Sequence, residues 1–245
     1  MGLNVTILGC SGTYAAPGGA CSGYLVANDA TQVWVDAGPG TLANLQLHTS
    51  LDDLTGIVIS HVHPDHWLEL PVLYNALKWF RPRPVLPVYT TREVAAALRG
   101  FHPEDLDVVF DLNVVDRTSR ITIGDIDVRF SRTDHPVETL AMRFDHGEAS
   151  LVYSSETGPG WSLGDLGPHI DLALCEATML HAERPDDLPH LSALQAGLDA
   201  KECGVGRLVV THYSPDGDPA DYEAEAQAAF GRPVHIAAPH ERYDV

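Results

Sequence analysis

Basic residues are scarce in this chain. Its 245 residues include 15 lysine and arginine side chains against 34 aspartate and glutamate side chains, for a formal net charge of −19. A surface this acidic repels a phosphate backbone at long range, which argues against a dedicated grip on a nucleic-acid polymer. A small anionic substrate remains compatible with the charge, because bound divalent cations reverse the local field.

Long apolar runs and paired cysteines are also missing. No apolar stretch approaches the roughly 20 residues that a membrane-spanning helix needs. The start Met1-Gly2-Leu3-Asn4 has neither the basic residue nor the long apolar stretch of a signal peptide. The four cysteines, Cys10, Cys21, Cys175 and Cys203, form no Cys-x-x-Cys pair. We therefore expect free buried thiols in a cytoplasmic protein with no membrane partner.

The pattern of apolar residues predicts clusters of strands with helices mainly between them. We predict strands at residues 5–8, 23–26, 32–35, 56–60, 85–89, 121–123, 126–131, 139–144, 150–153, 172–175, 207–211 and 234–236. We predict helices at 41–47, from Asp65 onward with Asp65 as N-cap, at 91–98 stopped by Gly100, at 192–203 capped by Ser192, and at 220–230. This order predicts an α/β protein with a single domain over residues 1–245, in which two sheets pack face to face with helices outside.

One short segment concentrates groups that bind metals. His61, His63, Asp65 and His66 lie within six residues, directly after the apolar strand 56–60. His61 and His63 alternate by two, so in extended backbone they point the same way and can hold one ion. Asp65 and His66, after the turn at Pro64, can face a second ion. Neutral imidazoles and a carboxylate are the ligands preferred by zinc and other borderline divalent metals.

The segment His-x-His-x-Asp-His after an apolar strand resembles the signature of the metallo-β-lactamase superfamily. Val33-Trp34-Val35-Asp36-Ala37-Gly38 is similar to the superfamily's early Asp-x-Gly element, whose Asp supports the metal loop from behind. Ser131-Arg132-Thr133-Asp134-His135 and Leu208-Val209-Val210-Thr211-His212 resemble its third-histidine and last-ligand motifs. The resemblance implies the αββα metallo-β-lactamase fold and two zinc ions, with Mn²⁺ or Fe²⁺ as alternatives. It implies His61, His63 and His135 as ligands of one ion, and Asp65, His66 and His212 as ligands of the other.

The chain departs from the superfamily at the residue that bridges the two ions. Tyr153-Ser154-Ser155-Glu156-Thr157 stands where the family usually has Gly-Asp-Thr or Ser-Asp-Thr, so the bridging position holds Glu156. Glutamate is one methylene longer than aspartate, and its carboxylate must fold back to bridge. Two alternatives to bridging stay open: Glu156 binds one ion only, or it contacts neither ion.

Within the superfamily, the chain most resembles the ribonuclease Z-like group and its phosphodiesterase relatives. Cys175-Glu176-Ala177-Thr178 is similar to that group's His-Glu-Ala-Thr element, and His190-Leu191-Ser192 to its His-x-Ser/Thr element. By this resemblance Asp65, His190 and Glu176 are catalytic, with His190 protonating the leaving oxygen and Glu176 orienting His190. The alternatives are that His190 is a plain loop residue and Glu176 a strand-end carboxylate.

Ribonuclease Z enzymes carry a long arm for transfer RNA between the third histidine and the bridging acid. Only 20 residues separate His135 from Glu156, and they are predicted as two strands and a turn. We therefore predict a phosphodiesterase that uses a metal-bound hydroxide on a small phosphodiester such as a cyclic nucleotide.

Two other functions stay open. A thioesterase or lactonase would use the same metal chemistry on a carbonyl carbon, in an apolar cleft that Trp67, Leu68, Trp79 and Phe80 could line. A degenerate, non-enzymatic member that binds a metal with Glu156 in place of the bridging Asp is the other alternative. Dimers are common among relatives, so a homodimer is an open expectation.

Overall fold

Two seven-stranded sheets make up the protein in the computed structural model, which describes residues 2–102, 105–185 and 187–245. The first sheet contains β1 (Asn4–Gly9), β2 (Gly23–Ala27), β3 (Gln32–Ala37), β4 (Gly56–Ile59), β5 (Leu86–Thr90), β6 (Phe110–Val114) and β14 (Arg242–Asp244), in the order β14-β1-β2-β3-β4-β5-β6. The second contains β7 (Arg120–Ile123), β8 (Ile126–Arg132), β9 (Leu140–His146), β10 (Ala149–Tyr153), β11 (Leu172–Glu176), β12 (Arg207–Thr211) and β13 (Val234–Ile236), in the order β13-β12-β11-β10-β9-β8-β7.

The sheets pack against each other because successive side chains of a strand point to opposite faces. In β4, Val58 belongs to the core between the sheets, whereas Ile57 and Ile59 belong to the outer layer. Phe130 of β8 and Tyr153 of β10 meet the same inner core from the second sheet. The predicted αββα arrangement is confirmed.

Helices cover the two outer faces. The helices are α1 (Thr41–Leu45), α2 (Leu70–Trp79), α3 (Arg92–Phe101), α4 (Ala193–Glu202) and α5 (Pro219–Phe230). The first three pack on the first sheet and the last two on the second sheet. Ser192 caps α4 as predicted, with its side chain accepting from the backbone N–H of Gln195. No helix in the described part of the chain is long and apolar enough to span a membrane.

Two helix boundaries were predicted wrongly. Residues Pro64–His66 form a single 3₁₀ turn, and α2 begins only at Leu70, with Glu69 rather than Asp65 before it. The carboxylate of Asp65 instead accepts a hydrogen bond from the backbone N–H of Thr13, at 3.0 Å. Helix α3 also passes through Gly100, which costs a helix only about 1 kcal/mol relative to alanine.

The strand directions bring distant parts of the chain to one edge of each sheet. Strands β3 and β4 run parallel, as do β10, β11 and β12, and β8 points the same way as β10 because both are antiparallel to β9. The carboxyl ends of strands with one direction meet at one edge of a sheet. The residues that follow these strands are therefore gathered together, and every predicted site residue follows or ends one of them or lies in the adjoining loop.

Candidate metal centre

The first ligand group joins two histidines from the end of β4 to one from the end of β8. His61, His63 and His135 surround Oε2 of Glu156, at 3.0 Å from His61 Nε2, 3.2 Å from His63 Nδ1 and 2.9 Å from His135 Nε2. The side chain of His63 is 38% exposed, whereas that of His135 is 1% exposed. This group therefore faces solvent through His63.

The second group is buried, and its two histidines have no exposed surface. Nε2 of His66 lies 3.1 Å, and Nε2 of His212 2.7 Å, from Oε1 of Glu156. The Oδ2 atom of Asp65 lies 3.5 Å from His66 Nε2 and 3.4 Å from His212 Nε2. Each of these four residues offers a ligand atom within 4.8 Å of the others.

Glu156 stands between the groups. One carboxylate oxygen faces the three histidines of the first group and the other faces His66 and His212 of the second. The extra methylene relative to aspartate therefore does not remove the carboxylate from either group. The backbone helps to place it, because the preceding Ser155 has a positive φ of 54°.

The same backbone feature recurs around the centre. Asp36 and His212 also have positive φ angles, of 53° and 51°. Positive φ costs a non-glycine residue roughly 1–3 kcal/mol, and such residues cluster at functional sites. Each of the three lies at or just after the end of a strand, where the turn aims a side chain at the centre.

Asp36 holds the histidine loop from behind. Its Oδ1 accepts from the backbone N–H of Ser60 at 2.8 Å, and its Oδ2 lies 2.7 Å from Nδ1 of His66. The hydroxyls of Ser60 and Tyr153 donate to Oδ2, each at 2.8 Å. A His66 that donates from Nδ1 to this carboxylate presents its Nε2 lone pair to the ligand group, which is the usual support of a metal-binding histidine.

The site carboxylates are anions at neutral pH. Burial alone would raise the pKa of Asp65, but the neighbouring His66 and His212 outweigh burial and lower that pKa to about 2. Burial is likewise outweighed for Glu156, whose pKa is held well below its usual range by the surrounding imidazoles, His212 first.

The buried histidines divide into two kinds. Burial, with His66 nearby, lowers the pKa of His61 to about 4, so its imidazole is neutral and has a free lone pair. Burial would also lower the pKa of His212, but Glu156 and Asp65 raise it to about 10. The carboxylates of the centre thus favour positive charge nearby, and protons compete with divalent cations for the imidazole nitrogens.

The residues fit a metal ion. Nε2 of His61 is buried and has no hydrogen-bond partner in the described residues, although Glu156 Oε2 lies 3.0 Å away. A buried polar atom without a partner costs roughly 1–3 kcal/mol, which a cation bound to the lone pair would offset. Imidazoles and carboxylates are also the donors that zinc prefers. The ligand role of each residue remains a prediction.

A third cluster adjoins the second group. Nδ1 of His190 lies 3.0 Å from Oε1 of Glu176, and the His190 ring stacks on that of His212 with centroids 5.7 Å apart. Glu176 ends β11 and is fully buried, and its carboxylate accepts from the backbone N–H groups of Thr157 and Thr178. The structure therefore brings together all the predicted metal-binding and catalytic residues.

Three contacts at the centre had no signal in the sequence. The Thr13 N–H donates to Asp65, the carbonyl of Pro189 lies 3.1 Å from Nδ1 of His135, and the hydroxyl of Thr178 reaches Nδ1 of His212 at 3.1 Å. Two of the contacts use backbone atoms, which residue identity does not reveal. The other seven histidines lie outside these ligand groups within the part of the chain described.

Comparison with known proteins agrees with this geometry. The family model described as the beta-lactamase superfamily domain matches residues 31–213. An uncharacterized protein of Mycobacterium tuberculosis is 33% identical over 257 residues, covering 99% of this chain and 92% of that protein. A ribonuclease Z of Mycobacterium bovis is 27% identical, covering 99% of this chain and 98% of the enzyme.

A protein of Bacillus subtilis matches in both sequence and structure. The probable metallo-hydrolase YhfI is 28% identical over 247 residues, covering 96% of this chain and 97% of that protein. Its crystal structure, described as a metallo-beta-lactamase fold protein, superimposes with a TM-score of 0.90 at 25% identity and covers 100% of both chains.

Proposed function

Because this chain belongs to the beta-lactamase superfamily and is a metallo-hydrolase, we propose that it is a phosphodiesterase that hydrolyses a small phosphodiester, with a cyclic nucleotide as the leading candidate. The observation that carries the proposal is the His190–Glu176 pair beside the ligand groups, with its 3.0 Å contact. An alkoxide leaving group needs a proton, and a histidine side chain can supply it as a general acid.

The chain's own residues divide the work. Two zinc ions, when bound, supply the Lewis acidity that activates a water molecule and neutralises charge on the phosphoryl oxygens. In its protonated form, with a proton on each ring nitrogen, His190 would donate from Nδ1–H to Glu176 and give the Nε2 proton to the departing oxygen, which leaves a neutral imidazole. Glu176 is held by two backbone N–H groups, so the imidazole that it anchors is fixed in orientation.

The part of the chain beside the centre supports a small substrate. Residues 136–155 contain the antiparallel pair β9 and β10, joined by a tight turn at Gly147, and no arm for a nucleic-acid polymer. Together with the charge of −19, this supports a small-molecule substrate.

Acyl hydrolysis is less well supported. Trp67 is 4% exposed and packs in the outer layer of the first sheet, and Leu68 packs against that same layer. Trp79 and Phe80 lie at the end of α2 and are 66% and 83% exposed. These residues therefore behave as outer packing and surface residues, without forming an apolar cleft at the centre.

The test compares two substrates on zinc- or manganese-loaded protein. We expect turnover of adenosine 3′,5′-cyclic phosphate, no turnover of an acyl thioester, and loss of activity in His63→Ala. In His190→Ala we expect kcat to fall about 10²–10⁴-fold, as for loss of a general acid, with metal content unchanged. The matched control is His48→Ala, which removes a histidine outside the ligand groups.

Thioester turnover alone would overturn the phosphodiesterase proposal. Two ions per chain with no turnover of either compound would remove the cyclic nucleotide as the candidate. Fewer than two ions with no turnover would favour the non-enzymatic alternative.

A further inference from the structure

Thr178 lies between the second ligand group and the His190–Glu176 pair. Its side chain is 7% exposed, and its Oγ1 is 2.9 Å from Oε2 of Glu176 and 3.1 Å from Nδ1 of His212. The same oxygen is 3.2 Å from Nδ1 of His190. One hydroxyl thus touches the carboxylate, the metal-facing histidine and the proposed acid.

The backbone holds this hydroxyl in place from both sides. The carbonyl of Thr178 accepts from the backbone N–H of Ser214 at 3.1 Å and from the hydroxyl of Tyr222 at 3.2 Å. Its N–H donates to Glu176 at 3.1 Å. The backbone of Thr178 is therefore held by the segment after β12, by α5 and by Glu176, independently of a bound substrate.

The direction of each hydrogen bond follows from the number of protons. A threonine hydroxyl has one proton to donate, and an ionised carboxylate only accepts. Two acceptors lie within reach of the Thr178 proton, Oε2 of Glu176 at 2.9 Å and the backbone carbonyl of His212 at 3.3 Å, and the carboxylate is the closer one. The hydroxyl oxygen is left to accept from Nδ1–H of His212. In the neutral imidazole, the form that binds a metal ion, this hydrogen bond keeps the remaining proton on Nδ1 and leaves the lone pair on Nε2, the atom that faces Glu156 and Asp65.

We propose that Thr178 is a positioning residue through which Glu176 sets the tautomer of His212 and thereby its availability to a metal ion. Glu176 then orients two histidines at once, His190 directly and His212 through the hydroxyl. The inference rests on the proposed function for the role of His190, while its effect on metal binding requires no substrate.

Zinc affinity tests the proposal without turnover. We would titrate the metal-free protein with Zn²⁺ against a competing chromogenic chelator and determine the dissociation constants and ions per chain. We expect Thr178→Val, which keeps the shape and removes the hydroxyl, to weaken one of the two zinc sites about 10–100-fold, the usual effect of removing a partner of a ligand. Thr178→Ser should restore it. Thr211→Val removes another buried hydroxyl, one that bonds Tyr24 at 2.7 Å, and should bind zinc normally.

Glu176→Gln gives a second and independent readout. The Gln amide can donate to Oγ1 of Thr178, and the hydroxyl proton is then free to be donated to Nδ1 of His212. The proton of the neutral imidazole would then sit on Nε2, the nitrogen that faces the ligand group. Zinc affinity should therefore fall in this variant, although Glu176 forms no hydrogen bond with His212 in the described structure, where their ligand atoms lie within 4.8 Å of each other. In the double variant with Thr178→Val the loss should not exceed that of Thr178→Val alone.

Unchanged zinc affinity in a folded Thr178→Val protein would overturn the proposal. If that variant does not fold by circular dichroism, unchanged affinity in Glu176→Gln overturns it instead. The expected zinc losses without hydrolysis of any phosphodiester would sustain the role of Thr178 and refute the proposed function.

Discussion

The two ligand groups share Glu156 but differ in how firmly they are held. In the second group His66 is backed by Asp36 and His212 by Thr178, and both imidazoles are fully buried. In the first group His63 is 38% exposed, and His135 is backed by a carbonyl from the loop that carries His190. The second group is therefore organised before an ion arrives, whereas the first is open to solvent at His63.

The largest effect is expected from removing Glu156, the residue that the two groups share. In Glu156→Ala both groups lose their common carboxylate, so we expect fewer than two zinc ions per chain. Activity should fall by more than about 100-fold, which exceeds the usual loss on removing a residue that only supports a ligand. Elemental analysis of dialysed protein and initial rates measure this. Glu223→Ala on the surface of α5 is the control. Two tightly bound zinc ions in Glu156→Ala would show that the carboxylate is not shared.

A smaller change should weaken the second group more than the first. Asp36→Asn keeps the size of the side chain but loses the carboxylate that accepts from His66, so we expect zinc affinity at one site to fall about 10–100-fold. Calorimetric titration with Zn²⁺ would resolve the two sites. Tyr153→Phe removes one of the donors to Asp36 and leaves the carboxylate, so its effect should be smaller. Equal weakening of both sites would contradict the separation of the groups.

The groups should also differ in their response to pH. Without metal, the raised pKa of His212, about 10, keeps a proton on this histidine that zinc must displace, whereas His61, with a pKa of about 4, is already neutral. Proton competition persists below the raised pKa, so zinc affinity at the second group should rise as pH increases from about 6 to 9. The carboxylates stay ionised over this range and add no slope. A pH-independent affinity would contradict this assignment.

The smallest expected effect concerns the loop that connects the first group to His190. Arg184 donates to the carbonyls of His190 and Leu188 at 2.7 Å and 2.5 Å. Arg184→Gln should lower kcat by up to about 10-fold, since a hydrogen bond contributes roughly 0.5–1.5 kcal/mol net. Zinc affinity should not change. A drop in zinc content would mean that the loop also supports His135 strongly.

Sequence patterns were most informative where a contact is local. The apolar strand before His61 and the alternation of His61 and His63 predicted a metal-binding loop, because strand geometry relates neighbouring residues directly. Sequence patterns were less informative for the strands at the edges of the first sheet. Strand β6 (Phe-Asp-Leu-Asn-Val) was not predicted although its residues alternate, since Asp and Asn are depleted in strands, and β14 has only three residues.

Residues that lie far apart in the chain could be grouped only by resemblance to the superfamily. His135, Glu156, Glu176 and His212 each follow or end a different strand, and nothing in their spacing shows that these ends meet. The start of α2 illustrates the same limit, because Asp65 had the sequence features of an N-cap but contacts Thr13, 52 residues away.

The amino-acid sequence by itself determined the strand and helix pattern, the acidic charge and the His61–His66 loop, since each depends on residues close in the chain. Only the tertiary structure decided that Glu156 reaches both ligand groups, that Asp36 supports His66 and that Thr178 joins His212 to Glu176. These contacts depend on the directions of six strands in two sheets and on backbone groups that residue identity does not specify.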